Sequence, residues 1–453
     1  MIDIIDRLYD AVWGAPALVL LTATGIYLSI GSGICQIRLF PKSVIRFVRL
    51  LINRVPRKDG TSSFQAVCTA LAATVGTGNL AGVAGAITLG GPGAIFWMWV
   101  CAVLGMIIKF SEAALSVRFR HKKGNRYLSG PMYMIDIGMG SRWHWLAVCY
   151  AFLCTVAVFG VGNATQINTV AYALDGALRA IGIKEIGWIN IAVGALFAVL
   201  ILLTLMWGAA KIGSVTERLV PFASMLYILL CLIALLMRFN RIPQAFSCII
   251  RGAFSPHAVT GGIVGSCICV LRIGASRGVF TNEAGLGTAG IAHGSADVSN
   301  PISQGMMGIV EVFLDTIVIC TITALVILCS DVWIPYGNDA GVSLTVHAFA
   351  NIYGVWIGIP ITIILFLFAF ATILGWGLYG GRCAQYLFGK SAWKTMVWLQ
   401  AGVAVVSTIL NVATVWKITE IINGLMMIPN LTAVIYLSPE LFRMISKYKD
   451  LSF

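Results

Sequence analysis

Long apolar stretches of about 20 residues dominate the chain, and short polar segments separate them. A helix of that length crosses the hydrocarbon core of a bilayer, and it satisfies its own backbone hydrogen bonds where lipid cannot. The pattern therefore predicts an all-α polytopic membrane protein with about eleven transmembrane helices. The predicted helices lie near residues 15–34, 64–89, 92–117, 144–172, 187–210, 217–238, 258–292, 303–330, 355–380, 395–413 and 418–437.

Two of the predicted helices are interrupted. The second carries a glycine-rich stretch with Asn79, and the seventh carries another with Thr281 and Asn282. Each glycine weakens a helix by about 1 kcal/mol relative to alanine, and the polar residues favour helix N-caps. We expect these helices to stop and restart at residues 74–80 and 274–280. Glycines that only allow close helix packing are the alternative, but two such helices favour a binding site between them.

The two interrupted helices also suggest a repeat. They begin on opposite sides of the membrane, five helices apart, so helices two to six and seven to eleven form two units of opposite topology. This 5+5 inverted repeat, with one extra N-terminal helix, is typical of secondary transporters. Topology alone supports it, because no sequence identity between the halves is evident. The expected divisions are the first helix and a basic cytoplasmic loop (1–60), two five-helix repeats (61–245 and 246–440), and a cytoplasmic tail (441–453).

The basic residues fall mainly on one side of the predicted helices. The net charge is +13, from 31 Lys and Arg against 18 Asp and Glu. With the N-terminus outside, inward segments collect 21 of the basic residues and outward segments seven. The positive-inside rule then predicts an outside N-terminus and a cytoplasmic C-terminus in a cell membrane. Basic residues in short loops, without a patch interleaved with aromatics, argue against nucleic-acid binding.

Composition and motifs argue against most other classes. The chain is 59% hydrophobic and 11% charged, whereas soluble domains carry about 25% charged residues. Its twelve cysteines are scattered, and the pair Cys267 and Cys269 lacks the second pair of a zinc site. The five histidines are dispersed, and neither a catalytic metal motif nor a repeated pore loop is evident. A membrane-embedded enzyme or a channel is a remote alternative, and no cofactor is expected.

Four motifs resemble a known family, the alanine/glycine:cation symporters, also called the sodium:alanine symporter family. They are Gly76–Asn79, Gly90–Trp99, Gly130–Met134 and Phe280–Gly287, and they run through both halves of the chain. Thr281 stands where we would expect Ser, and both residues carry a hydroxyl. The resemblance, which places the chain in the amino acid–polyamine–cation superfamily, implies a leucine-transporter-like fold. It further implies sodium-driven symport of alanine or glycine. No obligatory protein partner is evident in the sequence.

The substrate is a zwitterion, so each of its charges needs a partner. Backbone N–H groups where the second helix restarts, those of Thr77, Gly78 and Asn79, are expected to bind the carboxylate, helped by the helix dipole. Open carbonyls and the side chain of Gln166 are candidates for the amine. A helix–helix hydrogen bond is an equally good interpretation of Gln166.

Bulky side chains are expected to limit the size of the substrate. Phe280, placed just after the second interruption, is one candidate. By the resemblance, Thr372 and Trp376 face the site, and their spacing of four residues puts them on one helix face. Packing or anchoring at the membrane interface is the alternative role for Trp376.

Sodium prefers oxygen ligands, and analogy with the fold suggests where they lie. Carbonyls near Thr74, Val75 and Thr77, with the hydroxyl of Thr372, form the expected site. Whether Thr372 binds the cation, the substrate or both stays open.

Charged residues within the predicted helices allow a different coupling ion. Glu311 and Asp315 are four residues apart, and Glu283 lies near the second interruption together with Arg272 and Arg277. A proton on Glu283, Glu311 or Asp315 would make the protein a proton-coupled amino acid transporter. Internal ion pairs that hold the helices together are the simpler interpretation.

Lys109 and Glu112 are three residues apart near the end of the third predicted helix. We expect them to form a pair that extends toward water. The preferred amino acid or enantiomer, the stoichiometry and the oligomeric state do not follow from the sequence.

Overall fold

The computed structural model describes residues 2–53, 61–124, 126–183, 187–255, 260, 266–409 and 412–449. Over these residues the chain is mainly α-helical, with one small hairpin in which β1 (His121–Lys123) pairs antiparallel with β2 (Arg126–Leu128). Parts of the predicted basic loop, of the predicted tail and of the start of the seventh predicted helix lie outside the described residues. The all-α polytopic class is confirmed.

The first half of the chain contains thirteen α-helical segments within the described ranges. They are α1 (Ile2–Trp13), α2 (Ala15–Ser32), α3 (Cys35–Arg38), α4 (Phe40–Ile52), α5 (Ser63–Thr74), α6 (Gly78–Gly90), α7 (Gly93–Arg118), α8 (Pro131–Tyr133), α9 (His144–Phe159), α10 (Thr165–Ala180), α11 (Gly187–Leu205), α12 (Ala209–Met237) and α13 (Ile242–Phe254). A π-helical turn, Gly160–Ala164, joins α9 to α10.

The described part of the second half contains eight more α-helical segments. They are α14 (Cys267–Asn282), α15 (Thr288–His293), α16 (Pro301–Val312), α17 (Thr321–Cys329), α18 (Gly341–Tyr353), α19 (Gly358–Phe388), α20 (Ala392–Val406) and α21 (Val412–Lys449). The π-helical segment Phe313–Cys320 joins α16 to α17.

Nine segments in the described part of the chain are long and apolar enough to cross a membrane. They are Arg7–Ser32, Ser63–Gly90, Gly93–Arg118, Ser141–Ala180, Gly187–Leu205, Ala209–Met237, Pro301–Cys329, Val355–Phe388 and Val415–Tyr448. The other two predicted helices, 258–292 and 395–413, correspond to the shorter α14 with α15 and to the 15-residue α20. The count of eleven and the inverted repeat stay predictions.

Burial separates the centre of the bundle from its periphery. The most apolar window of Ser63–Gly90 is 100% buried within the protein, against 28% for Gly187–Leu205 and 33% for Ala209–Met237. A segment with no lipid contact can carry polar and irregular backbone at membrane depth. The first interrupted helix, α5 with α6, therefore occupies the centre, whereas α11 and α12 face lipid.

Candidate functional site

The first interruption lies between α5 and α6, within the predicted stretch 74–80. The N–H of Gly76 donates to Oδ1 of Asn79 (2.9 Å), which replaces the missing helical acceptor. The predicted N-cap role of Asn79 is wrong, because Thr77 occupies the N-cap position and Asn79 lies inside α6. The Asn79 side chain instead reaches back to hold the interrupted backbone.

Three predicted site residues meet at this interruption. Oε1 of Gln166 accepts from the hydroxyl (2.9 Å) and the N–H (3.4 Å) of Thr77. A Cβ built on Gly76 would lie 2.4 Å from Oγ1 of Thr372. The structure thus brings together Thr77 of α6, Gln166 of α10 and Thr372 of α19, which are far apart in sequence.

Oxygen atoms without partners also face this region. Oγ1 of Thr372 is buried and has no hydrogen-bond partner in the described part of the chain. The N–H groups of Gly76 and Thr77, which would bond carbonyls of α5 in an unbroken helix, bond side chains instead. The last carbonyls of α5 are therefore freed by the interruption. The hydroxyl of Thr74 turns back to carbonyls of its own helix (3.3 and 3.4 Å), so only its carbonyl is available.

The second interruption lies further along than the sequence predicted. Residues 274–280 belong to the continuous helix α14, and the chain breaks instead between α14 and α15. Glu283 (φ 54°), Gly285 (φ 95°) and Gly287 (φ 77°) adopt the left-handed region there. Phe280 consequently precedes the interruption, and the expectation that it follows is wrong.

The glycines within residues 274–280, which led to the prediction of a break there, serve helix packing. A Cβ on Gly274 would lie 2.4 Å from the carbonyl oxygen of Ala94, and one on Gly278 would lie 3.4 Å from Cβ of Cys101. Both glycines allow α14 to approach α7 closely. Spaced four residues apart on one helix face, they serve packing, which was the alternative weighed for these glycines.

Glu112 holds the second interruption together. Its Oε1 accepts from the N–H groups of Gly285 (3.0 Å) and Gly287 (3.1 Å) and from Nδ2 of Asn430 (2.6 Å). One buried carboxylate oxygen therefore supplies the acceptors that the broken helix lacks.

The predicted Lys109–Glu112 pair is wrong. Lys109 is fully buried, forms an ion pair with Glu311 (3.1 Å), and donates to the carbonyl of Asn282 (2.7 Å). Glu311 also contacts Nε2 of His293 (2.9 Å). Because this part of α7 is buried among other helices, its charged side chains pair with groups on neighbouring elements and do not reach water.

A chain of hydrogen bonds joins the two interruptions. Nδ2 of Asn79 donates to Oδ1 of Asp315 (2.6 Å), and the hydroxyl of Thr316 donates to Oδ2 (2.9 Å). Nδ2 of Asn282 donates to the Thr316 hydroxyl (3.1 Å), and Oδ1 of Asn282 accepts from the N–H of Ala284 (3.0 Å). Buried side chains therefore connect the two interruptions directly.

Ion pairing accounts for only some of the charges in the predicted helices. In addition to the pair of Lys109 with Glu311, Arg277 forms ion pairs with Glu420 (2.9 Å) and Asp339 (3.1 Å). Arg272 contacts Asp10 (3.5 Å). Among the described residues, no Lys, Arg or His lies within ion-pair distance of Asp315 or Glu283.

The two predicted walls both lie next to an interruption. A Cβ on Gly78 would lie 3.5 Å from Cε1 of Phe280, whose ring packs against that of Trp416 (centroids 4.8 Å apart). Trp376 is fully buried, and its indole Nε1 donates to Oε1 of Glu283 (2.7 Å). Trp416 could not be predicted from the sequence, because an isolated aromatic residue in an apolar helix is usually part of the core.

A cavity of about 490 Å³ leads toward the first interruption from one face of the protein. Ala81 and Thr169, which are both buried and lie about one turn from Gly78 and Gln166, are among its lining residues. The other lining residues are Tyr9, Leu89, Tyr172, Arg277, Asp339, Ala340, Gly341, Val342, Trp416, Lys417 and Glu420. In the predicted orientation this cavity opens outside the cell.

Comparisons with known proteins agree with this architecture. A family model described as the sodium:alanine symporter family matches residues 1–452. The chain is 39% identical to a transporter of Haemophilus influenzae, over 96% of this chain and 93% of that protein. It is 38% identical to the sodium/alanine symporter AgcS of Methanococcus maripaludis, over 96% and 95%. It is 33% identical to the probable sodium/glutamine symporter GlnT of Bacillus subtilis, over 97% and 89%.

Two solved structures share the fold. MhsT in complex with L-phenylalanine has a TM-score of 0.60 at 14% identity, and the match covers 86% of this chain and 99% of MhsT. The nucleobase–cation symporter Mhp1, in a closed conformation with bromovinylhydantoin bound, has a TM-score of 0.54 at 14% identity, with 86% and 78% covered. At this identity the likeness shows a common transporter fold.

Proposed function

The chain belongs to the sodium:alanine symporter family, and we propose that it couples sodium to the uptake of a small neutral amino acid, alanine or glycine, by alternating access. Membership and the relatives make it a cation-coupled amino acid symporter and a multi-pass cell-membrane protein, not an enzyme. The choice of alanine or glycine and of sodium belongs to the proposal.

The observation that carries the proposal is the convergence of Thr77, Gln166 and Thr372 at the first interruption. Backbone N–H groups at the start of α6, from Thr77 to Asn79, bind the carboxylate of the substrate at the positive end of the helix dipole. Binding replaces two long hydrogen bonds, from the N–H of Thr77 to Gln166 (3.4 Å) and from the N–H of Asn79 to the Gly76 carbonyl (3.3 Å). Oε1 of Gln166 accepts from the hydroxyl (2.9 Å) and, over a longer distance, from the N–H (3.4 Å) of Thr77, and it exchanges the longer bond for one from the ammonium group. The site thus neutralises a zwitterion without a charged side chain.

Phe280 and Trp376 limit the size of the substrate in this proposal. The Phe280 ring lies beside Gly78 and the Trp376 indole is fixed to the second interruption. Both rings are nearly or completely buried, so a larger substrate side chain would have to displace an aromatic ring.

Sodium binds in this proposal where α5 ends. The ligands are the freed carbonyls of Thr74 and Val75 together with the hydroxyl of Thr372. The carbonyl of Thr77, expected as a further ligand, already accepts from the N–H groups of Leu80 (3.2 Å) and Ala81 (2.8 Å). A buried hydroxyl with no partner costs about 1–3 kcal/mol, and a bound cation would remove that cost. Oxygen ligands of this kind suit a hard monovalent cation.

Proton coupling through Glu283, Glu311 or Asp315 is the second candidate. One observation favours it: Asp315 is fully buried, joins both interruptions, and has no cationic partner in the described part of the chain. A carboxyl in that position could exchange a proton during the transport cycle.

Uptake by purified protein in proteoliposomes decides between the two. Labelled alanine should accumulate under an inward sodium gradient and not under a proton gradient alone, with glycine and glutamine tested as competitors.

Thr372→Val should raise the sodium concentration for half-maximal uptake about tenfold, which corresponds to a loss of roughly 1.4 kcal/mol of sodium-binding free energy. Thr362→Val is the matched control, because that hydroxyl in the same helix already bonds the Gly358 carbonyl (2.8 Å). Accumulation that ignores sodium would refute sodium coupling.

A further inference from the structure

Glu283 adopts a backbone conformation that its residue type disfavours. It has φ 54° and a side chain that is almost completely buried. Such a conformation costs about 1–2 kcal/mol for a residue with a Cβ, whereas glycine adopts it freely. In the described part of the chain only two other non-glycine residues, Ile34 and Asp331, have positive φ. The strain at Glu283 therefore suggests that its side chain has a task of its own.

The carboxylate of Glu283 contacts two different elements. Oε1 accepts from the indole Nε1 of Trp376 in α19 (2.7 Å), and Oε2 accepts from the hydroxyl of Thr288 at the start of α15 (2.6 Å). Hydrogen bonds to a carboxylate are stronger than those between neutral groups. The second interruption is thereby tied to one wall of the proposed substrate site.

The indole of Trp376 has one polar contact that fixes its orientation. Its Cβ packs against the π-helical turn before α10, where a Cβ on Gly162 would lie 2.2 Å away. Its ring meets that of Tyr379 edge to face, with centroids 5.9 Å apart. Gly162 fixes the base of the side chain, and the Glu283 carboxylate fixes the far edge of the indole.

We propose that Glu283 is a positioning residue for substrate specificity: its carboxylate holds the Trp376 indole in place and so keeps larger side chains out of the site. The inference rests on the proposed function, in which Trp376 is a wall of the substrate site. Loss of the carboxylate frees the indole to rotate, which enlarges the space available to a substrate side chain. A rotation of the ring changes specificity more than it changes binding of the substrate backbone.

The test compares inhibition of labelled alanine uptake by alanine, valine, leucine and glutamine in proteoliposomes. Glu283→Ala and Trp376→Phe should each lower the inhibition constants of the three larger amino acids, relative to alanine, by about tenfold. The double variant should show no larger change than either single variant, because both act on the same ring. Glu283→Gln should keep the wild-type ratios, because its amide oxygen can still accept from the indole.

Thr288→Val is the matched control. It removes the other donor to the same carboxylate but leaves the indole contact, so its inhibition ratios should equal those of the wild type. Unchanged ratios in Glu283→Ala, additive effects in the double variant, or equal shifts in Thr288→Val would each refute the positioning role. If the wild type accumulates no neutral amino acid under a sodium gradient, the proposed function fails first, whatever the variants do.

Discussion

Single side chains at both interruptions replace the backbone partners that a continuous helix would supply. Asn79 accepts from Gly76 at the first interruption, and Glu112 accepts from Gly285 and Gly287 at the second. Each buried N–H left without an acceptor would cost about 1–3 kcal/mol. An irregular backbone at membrane depth is stable here because these buried side chains pair it.

Asn79 offers a sharp test at this scale, because its amide serves two partners with opposite roles. Asn79→Ala should abolish alanine binding while the protein stays folded, since it frees the Gly76 N–H and leaves Oδ1 of Asp315 without its amide donor. Asn79→Asp keeps an acceptor for the Gly76 N–H but places a second carboxylate against that of Asp315. Scintillation proximity binding of labelled alanine, with thermal unfolding as the measure of folding, checks both.

The matched control exchanges the two groups. In Asn79→Asp with Asp315→Asn, the amide and the carboxylate swap positions, so the donor–acceptor pair is restored and binding should partly recover relative to Asn79→Asp. Normal binding by Asn79→Ala would remove the first interruption from the site.

At the scale of elements, the sequence was sufficient for the helices and ambiguous about their interruptions. Hydropathy predicts most of the long helices, because about 20 apolar residues have one stable arrangement in lipid. Glycine-rich stretches have two uses, and only the structure separates packing at Gly274 and Gly278 from a break at Gly285 and Gly287. Contacts such as that of Glu112 with α21 depend on helix packing, which hydropathy does not encode.

Gly274 tests that assignment. Gly274→Ala should lower the free energy of unfolding by about 1–3 kcal/mol, the usual cost of overpacking, because the new Cβ would meet the Ala94 carbonyl. Gly402→Ala in α20 is the control, since nothing lies within 4 Å of its Cβ position. It should be neutral or stabilising by up to about 1 kcal/mol. Thermal unfolding in detergent measures both, and equal effects would contradict the packing role of Gly274.

At the scale of the whole molecule, the two faces differ in how far they are closed. One face carries the 490 Å³ cavity. On the opposite face, a contact that we call the latch joins residues 61–63, at the start of α5, to the segment after α15 and to the first turns of α16. The N–H of Asp297 donates to the carbonyl of Thr61 (2.9 Å), and the hydroxyl of Ser63 donates to Oε1 of Gln304 (2.7 Å).

The guanidinium of Arg120 strengthens the same closed face. It donates to the carbonyls of Ala296 and Val298, from the end of α7. In the predicted orientation the cavity opens outside the cell and the latch lies on the cytoplasmic side. Alternating access then requires the latch to separate in each cycle.

A cross-link across the latch should therefore stop transport without preventing substrate from entering the open cavity. A short bifunctional methanethiosulfonate reagent applied to Ser63→Cys with Gln304→Cys should reduce alanine uptake at least about tenfold, the effect of shifting the conformational equilibrium by 1.4 kcal/mol or more. Binding of labelled alanine should persist, and reduction should restore uptake. Each single cysteine variant, treated with the same reagent, controls for the native cysteines. Full uptake by protein shown by mass spectrometry to be cross-linked would mean that the latch does not open during transport.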